Sequence, residues 1–382
     1  MKIVADKNIP FVQACFSHLG DVEILEAADI NASAAADAAI LLGRSYTRVN
    51  ETLLGGSMVE FVATATIGVD HIDQVYLAER GIGFASAPGC NANSVAEYVV
   101  ASLLTVAQRH EIDLGGASIG VIGVGNVGSR VAVKCHGMGM KVVLHDPPQA
   151  RESGDPRFEP MEAVFGCDFV TLHTPLTREG RDATYHLADE AFFRSLKPGA
   201  VFMNSGRGPV HDTGALWHAL EAGALKSICL DVWEGEPAID WALLERVDIG
   251  TSHIAGYSYD GKVGGLMGVY HAVCDHLGVE PQHGAEDFLP KPDLPSVDAR
   301  PFAGTDQEVL LQMVQQVYSI ERDDQDLRRV LARPAADRPP LFDGLRTNYR
   351  RRREFQNTEV VVADRHSSLA GKLSGIGFRI VS

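Results

Sequence analysis

Ile119-Gly120-Val121-Ile122-Gly123-Val124-Gly125-Asn126-Val127-Gly128 runs from a short apolar stretch into a G-x-G-x-x-G turn. The apolar run has the character of a buried parallel strand. A helical stretch through Val131, Val133 and Cys135 follows, then a second strand, Lys141–His145, that ends at Asp146. Strand, turn, helix, strand and terminal acid stand in the order a dinucleotide site needs. Gly123 permits the tight turn, Gly125 lets the backbone approach a pyrophosphate, and Gly128 lets the helix pack close to the strand. Asn126 and Val127 open the helix, whose N-terminal N–H groups and partial positive charge suit phosphates. Asp146, 18 residues past Gly128, would accept hydrogen bonds from an adenine ribose and repel a 2′-phosphate, so NAD is expected in preference to NADP.

Downstream the pattern continues as a doubly wound parallel sheet. Strand candidates recur at Asp168–Leu172, Ala200–Asn204, Ser227–Leu230 and Val247–Gly250. Ligands of such sheets bind at the carboxyl ends of the strands. The third strand there leads to His173-Thr174-Pro175 and the fourth to Ser205-Gly206-Arg207-Gly208. The fifth ends at Asp231 and continues to Glu236-Pro237, and the sixth leads to Ser252-His253-Ile254-Ala255-Gly256-Tyr257.

Upstream, Ile3–Ala5, Val22–Leu25, Ala39–Leu42, Val59–Ala63 and Gly83–Ala85 alternate with helical stretches and predict a second, smaller α/β sheet. Two of its strand ends carry groups suited to an anion: Gly43-Arg44-Ser45, and Thr64-Ala65-Thr66-Ile67-Gly68, whose consecutive N–H groups could face a carboxylate. A long helix begins near Asn93, with Ser94 and Glu97 at capping-box spacing and Asn91 or Asn93 as the alternative cap. Val95, Val99, Ser102, Leu103 and Val106 then fall on one face, as in a linker helix between two domains. After a further helix over 257–280, five prolines between 281 and 301 read as a linker. Beyond it, Val309–Ile320 is predicted helical, and Glu359–Ala363 and Phe378–Val381 are predicted strands of an α+β domain. The run Arg350-Arg351-Arg352-Arg353 reads as a solvated surface within an acidic chain.

Composition narrows the function. With 382 residues, 45% hydrophobic and 22% charged, the chain suits two or three soluble globular domains. A net charge of −16 argues against nonspecific binding to nucleic acid or anionic membrane. The six cysteines show neither a C-x-x-C pair nor ligand spacing, so neither disulfides nor a metal is expected. Charge interrupts Met1–Lys7 too early for a signal peptide, and the longest apolar stretch, Val95–Ala107, is too short to span a bilayer. A cytoplasmic location is the expectation.

A nicotinamide cofactor implies hydride transfer, and oxidation of a carbinol needs a group to take the hydroxyl proton. His253 is the candidate, because imidazole titrates near neutrality. Glu236 could bond its other ring nitrogen and stabilise imidazolium. Arg207 offers a planar fork of donors matched to a carboxylate and the adjacent oxygen.

In Gly123–Gly128, Asn204-Ser205-Gly206-Arg207-Gly208, Leu230-Asp231-Val232 with Glu236-Pro237, and His253-Ile254-Ala255-Gly256, the chain resembles the D-2-hydroxyacid dehydrogenases over residues 1 to about 280. The resemblance implies an Arg–Glu–His catalytic set on Arg207, Glu236 and His253. Arg44–Glu51, Ala63–Thr66, Ala87–Ala92 and His253–Lys262 resemble a branch of that family acting on a small, anionic, phosphorylated 2-hydroxyacid. That branch also carries a C-terminal domain of this size, through which it forms homodimers.

The implied organisation is a Rossmann cofactor domain over 93–256, a flavodoxin-like substrate or lid domain over 1–92 plus 257–280, and an α+β dimerisation domain over 290–382. Cofactor contacts are expected at the glycine turn, Asp146, Thr174, Ser205, Gly206, Arg207, Asp231 and Gly256. Substrate contacts are expected at Arg44, Ser45, Thr66, Gly68 and Tyr257. Two positions depart from the family pattern: Ser252 replaces a proline before His253, and Val263-Gly264-Gly265 stands where a basic residue is expected soon after Lys262. A relative acting on another 2-hydroxyacid, such as 3-phosphoglycerate or glyoxylate, is the first alternative. A dinucleotide-sensing binding protein on the same fold is the second.

Overall fold

Each strand expected between residues 1 and 254 forms, and all of them pair in parallel. The computed structural model describes residues 1–382. It divides into two units, Met1–Asn91 with Ser258–Lys291, and Ala92–Tyr257 with Pro292–Ser382.

The first unit holds β1 (Lys2–Asp6), β2 (Asp21–Leu25), β3 (Ile40–Gly43), β4 (Phe61–Thr64) and β5 (Gly83–Ser86) in the order β2-β1-β3-β4-β5. This is the flavodoxin-like order. β3 and β4 are buried at every position, as strands covered on both faces must be. One face is covered by the helix Tyr259–Leu277, whose Val263, Leu266, Tyr270 and Val273 pack with Ile3, Ile40 and Phe61. At the departure over 263–265 the helix runs close to two loops. A Cβ at Gly264 would stand 3.1 Å from the Cys90 carbonyl oxygen, and one at Gly265 would stand 3.0 Å from that of Ala65. The helix backbone therefore packs closely on those loops.

The second unit is built on β6 (Ser118–Ile122), β7 (Lys141–His145), β8 (Phe169–Leu172), β9 (Ala200–Asn204), β10 (Leu225–Leu230) and β11 (Ile249–Gly250), ordered β11-β10-β9-β8-β6-β7. The order reverses between β6 and β8, which sets the glycine turn and the His173-Thr174 loop side by side. Beyond β7 a single parallel bridge, Leu144 to Phe158, stands where a further strand would lie.

Residues 292–382 are part of this unit and contribute β12 (Ser296–Asp298), β13 (Glu359–Val361) and β14 (Arg379–Val381), a parallel sheet with β13 at its centre. β12 lies in the proline-rich stretch read as linker, and Pro295 just before it is tolerated because β12 is an edge strand. The helix expected over Val309–Ile320 runs Asp306–Val317. Tyr318 then turns extended and Ser319 caps a new helix, Ile320–Arg328. A third helix, Arg338–Thr347, and a fourth, Ser368–Ile376, carried no legible signal.

The linker helix spans Ala92–Arg109 and is buried around its whole circumference from Ser94 to Ala107. The helix Asp306–Val317 packs against it through Val309, Leu310, Met313 and Val314, within the core that also holds Ile119 and Val121. Of the alternative caps, the box at Ser94 and Glu97 does not form, since the helix starts at Ala92, directly after Asn91, and both residues lie inside it and bind residues 354 and 355. Ser94 Oγ donates to Glu354 Oε1 (2.5 Å), and Glu97 Oε1 accepts the Phe355 amide (2.8 Å). The arginine run is likewise not solvated as expected: Arg352 and Arg353 are only 4% and 9% exposed. All six cysteines are free thiols, and no helix is long and apolar enough to cross a membrane.

Candidate active site

The glycine turn is built as its spacing requires. Gly123 takes φ +83°, and a Cβ there would stand 2.8 Å from the Thr174 amide nitrogen. A Cβ at Gly128 would lie 2.0 Å from the Gly123 carbonyl oxygen, so only glycine lets the helix Asn126–Gly137 start against β6. Space at Gly125 is open, and no side chain caps the helix that begins there. Its first-turn N–H groups and the positive end of its dipole are therefore presented to a ligand.

Asp146 is fixed from two sides. Its Oδ2 accepts the Val124 amide of the glycine turn (2.8 Å) and Gln149 Nε2 (2.9 Å), and its Oδ1 accepts the Gln149 amide (3.0 Å). Oδ1 thus keeps a lone pair for a ribose hydroxyl. Across the turn, Thr174 Oγ1 is buried with no hydrogen-bond partner in the protein. A buried hydroxyl beside an open, positively polarised helix end fits a dinucleotide, whose polar atoms would satisfy it.

Three further loops carry Arg207, Glu236 and His253. Buried Asn204 organises the first. Its Oδ1 accepts the Gly206 amide (3.0 Å), and its Nδ2 donates to the Arg207 carbonyl (2.9 Å). Half-buried Arg207 donates from Nη1 to the Gly206 carbonyl (2.8 Å). A Cβ at Gly208 would stand 2.0 Å from the Trp233 carbonyl oxygen, so this loop lies directly on the one bearing Glu236.

His253 Nδ1 lies 2.7 Å from Glu236 Oε2, and Glu236 Oε1 accepts the Trp233 amide at 2.8 Å. Burial pushes the Glu236 carboxyl up. The His253 imidazole, the Trp233 amide and the Arg346 guanidinium outweigh it, holding Glu236 below the usual carboxylate range. With Nδ1 turned to a carboxylate, Nε2 is the nitrogen left to receive a proton. His253 has a φ of +57°, a left-handed backbone that a non-glycine residue keeps only when its surroundings enforce it.

Asp231 provides much of that enforcement. Its carbonyl accepts the His253 amide (2.7 Å). Its carboxylate accepts the Ile254 and Ala255 amides (2.8 and 2.9 Å) and the Thr251 hydroxyl (2.6 Å), and Thr251 in turn meets Tyr98 (2.8 Å). Burial pushes the Asp231 carboxyl up against these stabilising contacts. Ser252, the departure from the family proline, is buried inside this loop. Desolvation of half-buried His173 lowers its pKa to about 3 and keeps it neutral beside Thr171 and Ser205.

Ser205, Gly206, Arg207, Asp231, Gly256 and Tyr257 all lie in the second unit, with the glycine turn, Asp146, Thr174, Glu236 and His253. Arg44, Ser45, Thr66 and Gly68 lie in the first unit. Arg44 Nη1 donates to the Asn8 carbonyl (2.7 Å), Ser45 is exposed, and Thr66 Oγ1 donates to the Gly68 carbonyl (2.8 Å). Lys262 of the same unit has its pKa lowered by burial and then by the Arg44 guanidinium, so two cations face one region there. No group of three or more His, Cys, Asp or Glu side chains is arranged to hold a metal ion.

Sequence reading missed Asn204, Tyr98 and Thr251 as supports, and the C-terminal residues Arg346, Tyr349 and Arg352. Asn204 had a signal in its place at the end of β9. The others had none, because each meets the site through pairings distant in sequence.

Residues 94–255 match the D-isomer specific 2-hydroxyacid dehydrogenase, NAD binding domain, and residues 288–377 match a domain of unknown function (DUF3410). Among solved structures, D-lactate dehydrogenase from Aquifex aeolicus, complexed with NAD and lactic acid, superposes with a TM-score of 0.61 at 25% identity, covering 72% of this chain and 95% of that one. The TT0316 protein from Thermus thermophilus gives 0.63 at 26%, covering 74% and 99%. Fold and site together define a NAD-dependent D-2-hydroxyacid dehydrogenase. The likeness extends further to full-length curated relatives. Erythronate-4-phosphate dehydrogenase of Cronobacter sakazakii (strain ATCC BAA-894) is 44% identical over 379 residues, 99% of this chain and 98% of its own length. That of Escherichia coli (strain K12) is 43% identical over 382 residues, 100% and 99% of the two chains. The chain belongs to the erythronate-4-phosphate dehydrogenase family.

Proposed function

We propose that this chain oxidises 4-phospho-D-erythronate at C2 to 2-oxo-3-hydroxy-4-phosphobutanoate, on the route to pyridoxal 5′-phosphate. The observation that carries the mechanism is the 2.7 Å contact between His253 Nδ1 and Glu236 Oε2. When bound, NAD supplies the two-electron acceptor, held by the glycine turn, Asp146, Thr174, Ser205, Gly206, Asp231 and Gly256. His253 Nε2 takes the proton of the C2 hydroxyl, and Glu236 stabilises the imidazolium that results. Arg207 orients the substrate carboxylate and polarises the oxygen at C2. Arg44, Ser45, Thr66, Gly68 and Tyr257 bind the rest of the anion, with residues 1–92 and 257–280 acting as the substrate domain. Residues 290–382 form the homodimer contact, and the protein works in the cytoplasm, where its free thiols persist.

Turnover of purified protein with NAD and 4-phosphoerythronate, beside 3-phosphoglycerate and glyoxylate, tests this reading. Preference for another acid would reassign the substrate, and NAD binding without any turnover would favour the sensing role.

Glu236→Gln keeps the shape of the contact and removes its charge. Glu236 sits below the ordinary carboxylate range and so stays ionised through neutrality. A neighbouring carboxylate favours the protonated ring and its loss disfavours it. The apparent pKa of the pH–rate profile is therefore expected to fall, and a shift toward higher pH would count against the pairing.

Asp146 sets cofactor choice. A 2′-phosphate would meet a carboxylate at hydrogen-bonding distance, a like-charge contact costing several kcal/mol. NAD should exceed NADP in kcat/KM by on the order of 100-fold or more, and equal efficiency would refute the assignment.

A further inference from the structure

We propose that Arg352 is a positioning residue for His253, acting through the carbonyl oxygen of Ala255. The inference rests on the reading of His253 as the base and Glu236 as its partner.

Arg352 belongs to the C-terminal segment, yet its side chain is only 1% exposed. Its Nη1 donates to the Ala255 carbonyl (3.3 Å) and its Nη2 to the Ser94 carbonyl (2.9 Å). The guanidinium lies 3.7 Å over the centre of the Tyr318 ring, and Glu97 Oε2 lies 3.6 Å from Nη2. The internal site is crowded with charge. Glu97 faces it from the linker helix with Glu354 beside it, Lys134 faces Glu97 from the helix Asn126–Gly137, and Tyr349 and Asp323 also act electrostatically on Arg352. Burial and then Glu354 push the Glu97 carboxyl up to about 8, against the pull of Lys134 and Arg352.

Burying a guanidinium is costly unless its donors are used, and one of them grips the loop that carries His253. That loop is held through both its amides and a carbonyl. Asp231 takes the amides of His253, Ile254 and Ala255. Arg352 takes the carbonyl of Ala255. Two residues beyond, the Tyr257 ring packs edge-on against Tyr349, with centroids 5.9 Å apart. The left-handed backbone at His253 persists because both sets of bonds are in place. With one released, the imidazole moves away from Glu236.

Arg352→Gln in the full-length protein should lower kcat on the order of 100-fold, the usual cost of an ångström-scale misplacement. The apparent pKa of the pH–rate profile should fall in the same direction as in Glu236→Gln, and this shift should vanish in a Glu236→Gln background. Arg352→Lys, which keeps the charge and one donor direction, should recover part of both effects. Phe355→Leu is the control: it loosens the stacking of Phe355 on Phe378 and should lower Tm without moving the profile. If Arg352→Gln fails to fold, Arg352→Lys carries the test, and a partly shifted profile supports the proposal. An unshifted profile in whichever variant folds, with only Tm reduced, would overturn it. Failure of the underlying reading looks different, because His253→Ala would then retain turnover.

Discussion

Replacing His253 by alanine is expected to lower kcat by roughly 10²–10⁴-fold, the span of general acid–base catalysis, while NAD affinity stays close to that of the native enzyme. The two effects separate because the loop is held by its backbone. Asp231 accepts the amides of residues 253, 254 and 255, and none of these bonds involves the imidazole. The ring is 31% exposed, so its removal leaves no buried cavity. Nor does it strand a base elsewhere, since Glu236 keeps the Trp233 amide. Steady-state rates and a titration of NAD binding would measure both quantities. Turnover near the native rate would remove His253 from the mechanism.

A chain ending near Val279 is expected to lose its fold. The linker helix has no solvent-facing side from Ser94 to Ala107, so deletion would expose apolar residues now covered by Val309, Leu310, Met313 and Val314. Leu327 and Phe342 likewise belong to the core around Leu230 and Trp233. Asp324 would no longer accept the Gly250 amide, nor would Arg328 bind the Leu244 and Val247 carbonyls. Each fully buried apolar side chain contributes about 1.5–3 kcal/mol, against a whole-domain stability of about 5–15 kcal/mol. Losing several is decisive. Circular dichroism and a thermal melt would show it, and a cooperatively melting, NAD-binding truncated monomer would refute it. The homodimer is then tested by light scattering on the full chain.

The parts of the molecule legible in sequence are those fixed by local rules. The glycine turn could be read because its spacing, the positive φ of Gly123 and the clash that forbids a Cβ at Gly128 all fall within ten residues, from Ile119 to Gly128. The strands could be read because buried parallel strands are continuous apolar runs. Arg207, Glu236 and His253 stood out because each follows a strand end on one sheet edge. What could not be read depends on partners far along the chain. Ser94 and Glu97 have the spacing of a helix cap, yet they bind Glu354 and Phe355. The arginine run looked solvated because its composition is, although Arg352 finds Ser94 and Ala255 inside the protein. Asp231 was read only as a cofactor contact, since nothing local reveals that its carboxylate collects the amides of residues 254 and 255.

The chain leaves its first unit at Asn91 and returns to it at Ser258, and this has a consequence for biosynthesis. When the ribosome has made β1 to β5, the helix Tyr259–Leu277 that covers Ile3, Ile40 and Phe61 does not yet exist. At about 5–20 residues per second, the intervening stretch takes roughly 10–30 s to emerge. Throughout that interval the nascent sheet carries an uncovered apolar face. The first part of the polypeptide to appear is therefore among the last to complete its fold, and in that window it depends most on being shielded from other chains.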